Sequence, residues 1–225
     1  GDGNCIIRNG DYLQVASYGG LHTLNLDLSR INDGLSGAVP TTGSAKHLAL
    51  ANGKLLQLNL TERVKDAESS PAQMRVFDAN DLTWSNPEMV ASDLTIAPVD
   101  GKNTIAIDSD GAIYVCLGKN GVNKYVGNSL VKNIRLGEGE NHESPANGIA
   151  IDDKYIYVAS GSGVYIYAKS HLDAPVIKYH TKFRYDGTEE SKGSMPSCNY
   201  VAVKGDKIYL AYGRAGVEVL RFKNR

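Results

Sequence analysis

The hydrophobic and polar positions of this chain repeat as a unit, clearest between Ala146 and Tyr167. Ile149 and Ile151 alternate with Ala150, the two-residue period of a strand. Asp152, Asp153 and Lys154 break the run as a turn. Tyr155 to Ala159 is a second run, rich in the aromatic and β-branched residues that suit a pleated surface. Gly161-Ser162-Gly163 makes the next turn, because glycine takes positive φ at little steric cost. Val164 to Tyr167 then reads as a third strand. The pattern predicts a meander of three antiparallel strands.

The same unit recurs along the chain. Asn199 to Val203, Ile208 to Ala211, the turn Gly213 to Gly216 and Val217 to Leu220 repeat it at the C-terminal end. Asn103 to Ile107, the turn Asp108 to Gly111, Ile113 to Val115, the turn Gly118 to Gly121 and Val122 to Tyr125 form another copy. The first copy runs from Asn4 through Asn9-Gly10, Tyr12 to Ala16 and Gly19-Gly20 to Leu26. The weakest has Lys46 to Leu50, Asn52-Gly53, Leu55 to Leu60, a long interruption, and Met74 to Phe77. Val131 to Leu136 and Pro175 to Phe183 supply a fourth strand between copies. A period of about 40 to 60 residues with four strands each is the signature of a β-propeller. The small residues Ala49, Ala106, Ala150 and Ala202 recur where inner strands crowd the axis. A sandwich of hairpins gives no reason for one motif to recur. The expectation is one all-β domain over 1–225, with copies near 4–44, 45–100, 101–144, 145–196 and 197–225.

The last copy ends after its third strand, near Phe222. Either that blade has three strands or the propeller extends into further sequence. Cys5 and Cys198 open the inner strands of the first and last copies, and a disulfide between them would require those blades to be neighbours. Cys116 stands mid-strand where other copies have alanine and reads as a small core residue. Trp84, the single tryptophan, falls in the irregular stretch after the second copy and reads as core rather than as a binding aromatic.

Three polar insertions depart from the repeat: Thr61 to Gln73, Gly137 to Pro145 and Arg184 to Pro196. In an up-and-down blade the loop entering strand one and the turn from strand two to three lie at the same end. All three insertions therefore decorate one face of the disc, where loops carried by a rigid scaffold often hold function or simply tolerate insertion. Asn4, Lys46, Asn103, Asn147 and Asn199 stand two residues before the hydrophobic start of each inner strand, which predicts a polar ring at the channel mouth. Such amides suit a ligand, a divalent cation bound through oxygen, or hydrogen bonding to nearby backbone, and the sequence leaves these open. His47 adjoins the ring and His142 lies in a face loop, so both join the candidate binding set.

Other chemistry is thin. The net charge of −1 gives no electrostatic footprint for nucleic acid or an acidic membrane surface. No run of about 20 apolar residues spans a bilayer, and no signal peptide is visible, although an opening of Gly1-Asp2-Gly3 is compatible with one having been removed. The three cysteines and five histidines have no metal-ligand spacing. Gly161-Ser162-Gly163 is a hairpin turn and not a nucleophile elbow. No catalytic residue and no cofactor is assigned.

The runs IYVASGSGVYIY and IYLAYGRAGVEVL, with VASYGGLHTLNL behind them, resemble bacterial YVTN- and LVIVD-repeat propellers across most of the chain. That resemblance implies an extracytoplasmic location and a binding role toward a protein, glycan or small ligand. A narrower stretch, Ala146 to Ala150, is similar to the inner-strand motif of gluconolactonase-type propellers. That family holds an axial divalent metal with asparagine and carboxylate ligands, which implies a role for Asn147 with Asn103 or Asn199. No inner strand carries Asp or Glu at the ring position, so carboxylates would have to come from loop residues such as Glu138, Glu140, Glu143 or Asp186. Three readings follow: a binding propeller of the cell envelope, a metal-dependent lactonase-like hydrolase, and a structural portion of a longer surface protein.

Overall fold

A computed structural model describes residues 3–18, 20–32, 44–62, 69–84, 86–96, 102–137, 144–161, 163–181 and 196–222. It is a β-propeller of five antiparallel sheets, each built from strands in chain order. Blade 1 comprises β1 (Gly3–Asn9), β2 (Tyr12–Ser17), β3 (Gly20–Asn25) and β4 (Arg30–Asn32). Blade 2 comprises β5 (Ser44–Ala51), β6 (Lys54–Leu60), β7 (Ser70–Asp78) and β8 (Glu88–Ile96). Blade 3 comprises β9 (Ile105–Ile107), β10 (Ile113–Cys116), β11 (Val122–Val126) and β12 (Ser129–Ile134). Blade 4 comprises β13 (Ala146–Ile151), β14 (Tyr155–Ser160), β15 (Gly163–Ala168) and β16 (Ile177–His180). Blade 5 has three strands, β17 (Tyr200–Lys204), β18 (Lys207–Ala211) and β19 (Val217–Arg221).

Sequence patterning explains the stacking. Strand side chains alternate between faces, and in the middle blades both faces are apolar. Ile113–Cys116 is buried at every position, as is β14 from Ile156 onward. Each of the four buried hydrophobic clusters lies between consecutive blades. Leu56, Leu58 and Met74 of blade 2 meet Ile113 and Val115 of blade 3. Tyr114 and Cys116 meet Ile156 and Val158, and Tyr157 and Ala159 meet Ile208 and Leu210. Ala16 and Leu21 of blade 1 meet Leu55, Phe77 and Trp84 of blade 2. Among the described residues no such cluster joins blade 5 to blade 1. There β19 alternates, with Val217 61% and Val219 53% exposed on the face turned away from blade 4.

Several expectations need adjusting. The copy that matches the repeat least still forms long strands: β7 and β8 of blade 2 are nine residues each. Ser70 to Gln73 belongs to β7 and not to the insertion, because Ala72 continues the inward alternation of Met74 and Val76. Pro71 is tolerated there as the second residue of the strand. The outer strands β4 and β8 had no counterpart in the pattern, and β8 is hidden because register shifts opposite Ala72–Met74 and Met74–Arg75 break its alternation. The three cysteines are free thiols, so Cys5 and Cys198 are not bridged. Trp84 is buried, packs edge-on against Phe77 and donates from its indole to Thr23 at 2.9 Å. Cys116 is buried core. The aspartate turns are hairpin chemistry, with one addition: Asp108 at the foot of blade 3 is buried and pairs with Lys169 of blade 4 at 2.8 Å.

Gly148 marks how closely blades approach at the inner rim. A Cβ built there would lie 2.8 Å from the Asn199 carbonyl oxygen and 3.0 Å from the Tyr200 Cα. Gly148→Ala is expected to force blades 4 and 5 apart and cost about 1–3 kcal/mol, as overpacking does. Urea denaturation checks this, and an unchanged midpoint would show that the rim yields freely.

Candidate functional site

The inner strands of blades 2 to 5 line an open axial well of about 300 Å³. Its wall is made by His47–Leu50, Ile105–Ile107, Ile149–Ile151 and Tyr200–Val203. The recurrent Ala49, Ala106, Ala150 and Ala202 stand in this wall, where small side chains leave the lumen open. Among the described residues no carboxylate lines it. Two ring-bearing polar groups of its wall, His47 and Tyr200, face one another with centroids 6.4 Å apart although they come from blades 2 and 5.

The predicted ring residues all sit at the starts of inner strands, and two of them, Asn4 and Asn147, share one hydrogen-bonding pattern. Asn4 Nδ2 donates to the Ala45 carbonyl at 2.7 Å and to Ser44 Oγ at 3.2 Å. Asn147 Nδ2 donates to the Cys198 carbonyl at 2.8 Å and to Ser197 Oγ at 3.1 Å. In both cases the acceptors stand one and two residues before the ring position of the next blade, Lys46 or Asn199. The asparagine thus ties its blade to the one that follows. The other two seams use different groups. The Ile105 N–H donates to His47 Nδ1 at 3.4 Å between blades 2 and 3. Between blades 3 and 4 the Ile149 N–H donates to Thr104 Oγ1 at 2.7 Å, and the Thr104 N–H donates to the Asn147 carbonyl at 3.2 Å.

The remaining ring members differ. Asn103 is buried at φ +59°, donates to the Cys116 carbonyl of its own blade at 3.0 Å, and leaves Oδ1 buried and unpaired. Lys46 is buried beside His47. Asn199 Oδ1 is also buried and unpaired. His142, the loop carboxylates Glu138, Glu140 and Glu143, Asp186, and most of the three insertions lie outside the described residues. Among the described residues no group of three or more His, Cys, Asp or Glu side chains could hold a metal ion.

His47 is the electrostatically shifted member. Burial disfavours its charged form and pushes its pKa down to about 4. Its Nδ1 lone pair is occupied by the Ile105 N–H, which requires an imidazole unprotonated at that nitrogen. Burial raises the Tyr200 hydroxyl as well, helped by the nearby Cys5 thiol, so this wall of the well is neutral at physiological pH.

The sequence pattern did not point to a second cavity at the rim. A groove of about 920 Å³ runs along β8 and faces β11 and β12 of blade 3. Its wall carries a bonded polar row: Arg135 Nε donates to Asn133 Oδ1 at 3.1 Å, Asn133 Nδ2 to Asn123 Oδ1 at 2.7 Å, and Asn123 Nδ2 to the Tyr125 hydroxyl at 3.3 Å. The signal was present as the asparagines at 120, 123, 128 and 133, yet a groove between blades needs the unrecognised β8 for its other wall.

No family model matches the chain, and no curated protein matches it. Solved structures share the fold. The extracellular domain of a candidate hybrid two component system from B. thetaiotaomicron is 14% identical, over 99% of this chain and 26% of that one, at TM-score 0.62. A luciferin-regenerating enzyme is 16% identical, over 92% of this chain and 69% of that one, at TM-score 0.63. A calcium-binding protein, regucalcin, from Agrobacterium tumefaciens is 14% identical, over 94% of this chain and 68% of that one, at TM-score 0.62. The chain spans about a quarter of the length of the first of these. No helix among the described residues is long and apolar enough to cross a membrane.

Two outcomes follow from the ring geometry. Asn147→Ala leaves the Cys198 carbonyl without its donor and is expected to cost about 1–3 kcal/mol in urea unfolding, with Ser197→Ala costing less. His47 has a native pKa below its unfolded value near 6.5. The stability it contributes is therefore complete above about pH 6.5 and is lost as pH falls toward about 4. Stability measured against pH should fall over that window in the wild type and lose this component in His47→Gln.

Proposed function

We propose that this chain is a non-catalytic binding propeller working outside the cytoplasm, with its ligand held at the mouth of the axial well. The observation that carries this reading is the composition of the well. Its walls are mostly alanine and branched aliphatic side chains, its His47 is neutral, and among the described residues its lining has no carboxylate to act as acid, base or ligand. His47 is a poor general base because the Ile105 N–H occupies its Nδ1. A guest with an apolar body and a small polar head fits such a site, since pockets of this size bind by apolar burial with a few polar groups fixing orientation. The extracellular domain among the fold neighbours supports the location, by analogy of fold alone.

The competing reading is a lactonase-like hydrolase with an axial divalent cation. It draws support from the Asn147 motif and from the calcium-binding protein among the fold neighbours. It requires carboxylates near Asn147, which the loops around 138–143 and 182–195 would have to bring. The third reading, a structural portion of a longer surface protein, needs no ligand at the well.

A thermal-shift screen of small amphiphiles and oligosaccharides separates these, run on the wild type and on Ala106→Leu, which fills the well. A ligand present at a hundredfold excess over its Kd stabilises the native state by about 2.7 kcal/mol, or roughly 5–10 °C for a chain of this size. The expected result is a shift in the wild type that is absent in Ala106→Leu. Equal shifts in both move the site off the axis. Lactone turnover that needs Ca²⁺ or Zn²⁺ and is lost in Asn147→Ala would put the hydrolase reading first.

A further inference from the structure

Three of the four described seams are bridged by side chains at the radius of their third and fourth strands. The Trp84 indole of blade 2 donates to Thr23 of β3 at 2.9 Å. Lys132 of β12 pairs with Asp173, in the connection that leads to β16. The Tyr179 hydroxyl of β16 donates to Glu218 of β19 at 2.5 Å. The seam between blades 2 and 3 differs. Among the described residues no side-chain hydrogen bond joins β8 to β11 or β12, and the polar groups there bond within blade 3 instead. The open groove of about 920 Å³ lies at that radius. It spans β11 from Asn120 in the turn before it to Asn128 in the turn after it, about 17 Å for five residues of strand. It shares no lining residue with the axial well.

The two walls of the groove carry complementary chemistry. On the blade 3 wall the polar row is a one-way chain of donors, from Arg135 to Asn133, from Asn133 to Asn123, and from Asn123 to the Tyr125 hydroxyl. The row ends on a hydroxyl that accepts from Asn123 and keeps its own proton to give. Its upper end is anchored, since Asn133 Nδ2 donates to the Asn120 carbonyl at 2.9 Å and Arg135 Nη1 to the Lys119 carbonyl at 3.1 Å. On the opposite wall Ser92 and Asp93 of β8 are exposed and supply acceptors. Val90, Leu94 and Leu117 form an apolar strip between the walls. Among the described lining residues Asp93 is the one acid and Arg135 the one base, so the groove carries no net charge.

We infer that this groove binds a linear, neutral oligosaccharide. A sugar hydroxyl both accepts and donates, so it bridges the two walls, accepting from Tyr125 or Arg135 and donating to Asp93 or Ser92. The apolar strip takes the C–H faces of the sugar rings. The balanced lining gives no pull on a polyanion or a polycation. The row is held in place by its own bonds before any ligand arrives, which lowers the cost of ordering it. A long groove open at the surface also accepts a polymer that continues past both ends. An extended peptide laid along β8 is a different occupant, and the experiment reads it separately.

Affinity electrophoresis in native gels tests this, with soluble xylan, mixed-linkage β-glucan, mannan or pullulan in the gel, and with alginate as the polyanion. The proteins are the wild type, Asp93→Ala and Arg135→Ala. Both substitutions fall on exposed positions, and circular dichroism checks that the fold is kept. The wild type is expected to be retarded by at least one of the four neutral polysaccharides, and each variant to bind that polysaccharide at least tenfold more weakly. No retardation by any neutral polysaccharide, retardation by alginate alone, or binding confined to a pool of extended peptides from digested casein would each overturn the inference. Wild-type affinity in both variants would also overturn it, by placing the sugar away from the groove, and leaves the reading of the axial well untouched.

Discussion

The structure depends on sheets that are apolar on both faces. A two-sided apolar sheet has no stable existence in water, because every residue that packs on one side leaves its neighbour along the strand needing cover on the other. The run of buried residues in β10 and β14 is the chemical record of that requirement. It dictates that blades come in stacks, that consecutive blades are neighbours, and that the middle blades are the most completely buried. The polar ties at the inner rim refine this arrangement by fixing register and distance. They do so where the strands crowd and where an unpaired backbone carbonyl would be costly.

The ring residues show how a repeated side chain acquires different work in each copy. Asn4 and Asn147 are spent on the next blade, Asn103 turns back to its own, and the histidine of blade 2 takes over where lysine replaces asparagine at position 46. The recurrence therefore has a structural account in two copies, while Asn103 and Asn199 retain buried oxygens without partners. Among the described residues, the polar side chains that line the axial well itself are His47 and Tyr200.

The fold was legible in the sequence because it is written locally and more than once. Inner strands with alanine at their centre, aspartate or glycine turns and aromatic second strands recur at a regular spacing, and short antiparallel meanders require no long-range inference. Outer strands were less legible. β4 is three residues long, and β8 carries Ser92 and Asp93 side by side and is bulged against β7, so neither keeps the alternation that identifies a strand. Positions of ring residues were legible, but their partners were not, because Ser44 and Ser197 lie about 40 to 50 residues away from the amides they accept from. The polar row facing β8 was invisible for the same reason: a groove belongs to two blades, and the repeat describes one.

The burial of the blades also bears on how the molecule comes apart. The described blades meet at four apolar joints, each between consecutive blades, so each blade is held through the faces it shares with its neighbours. Blade 5, three-stranded and alternating between buried and exposed positions, has the least to lose on detaching. Local opening would then be graded from blade to blade, with its most persistent order in blades 3 and 4.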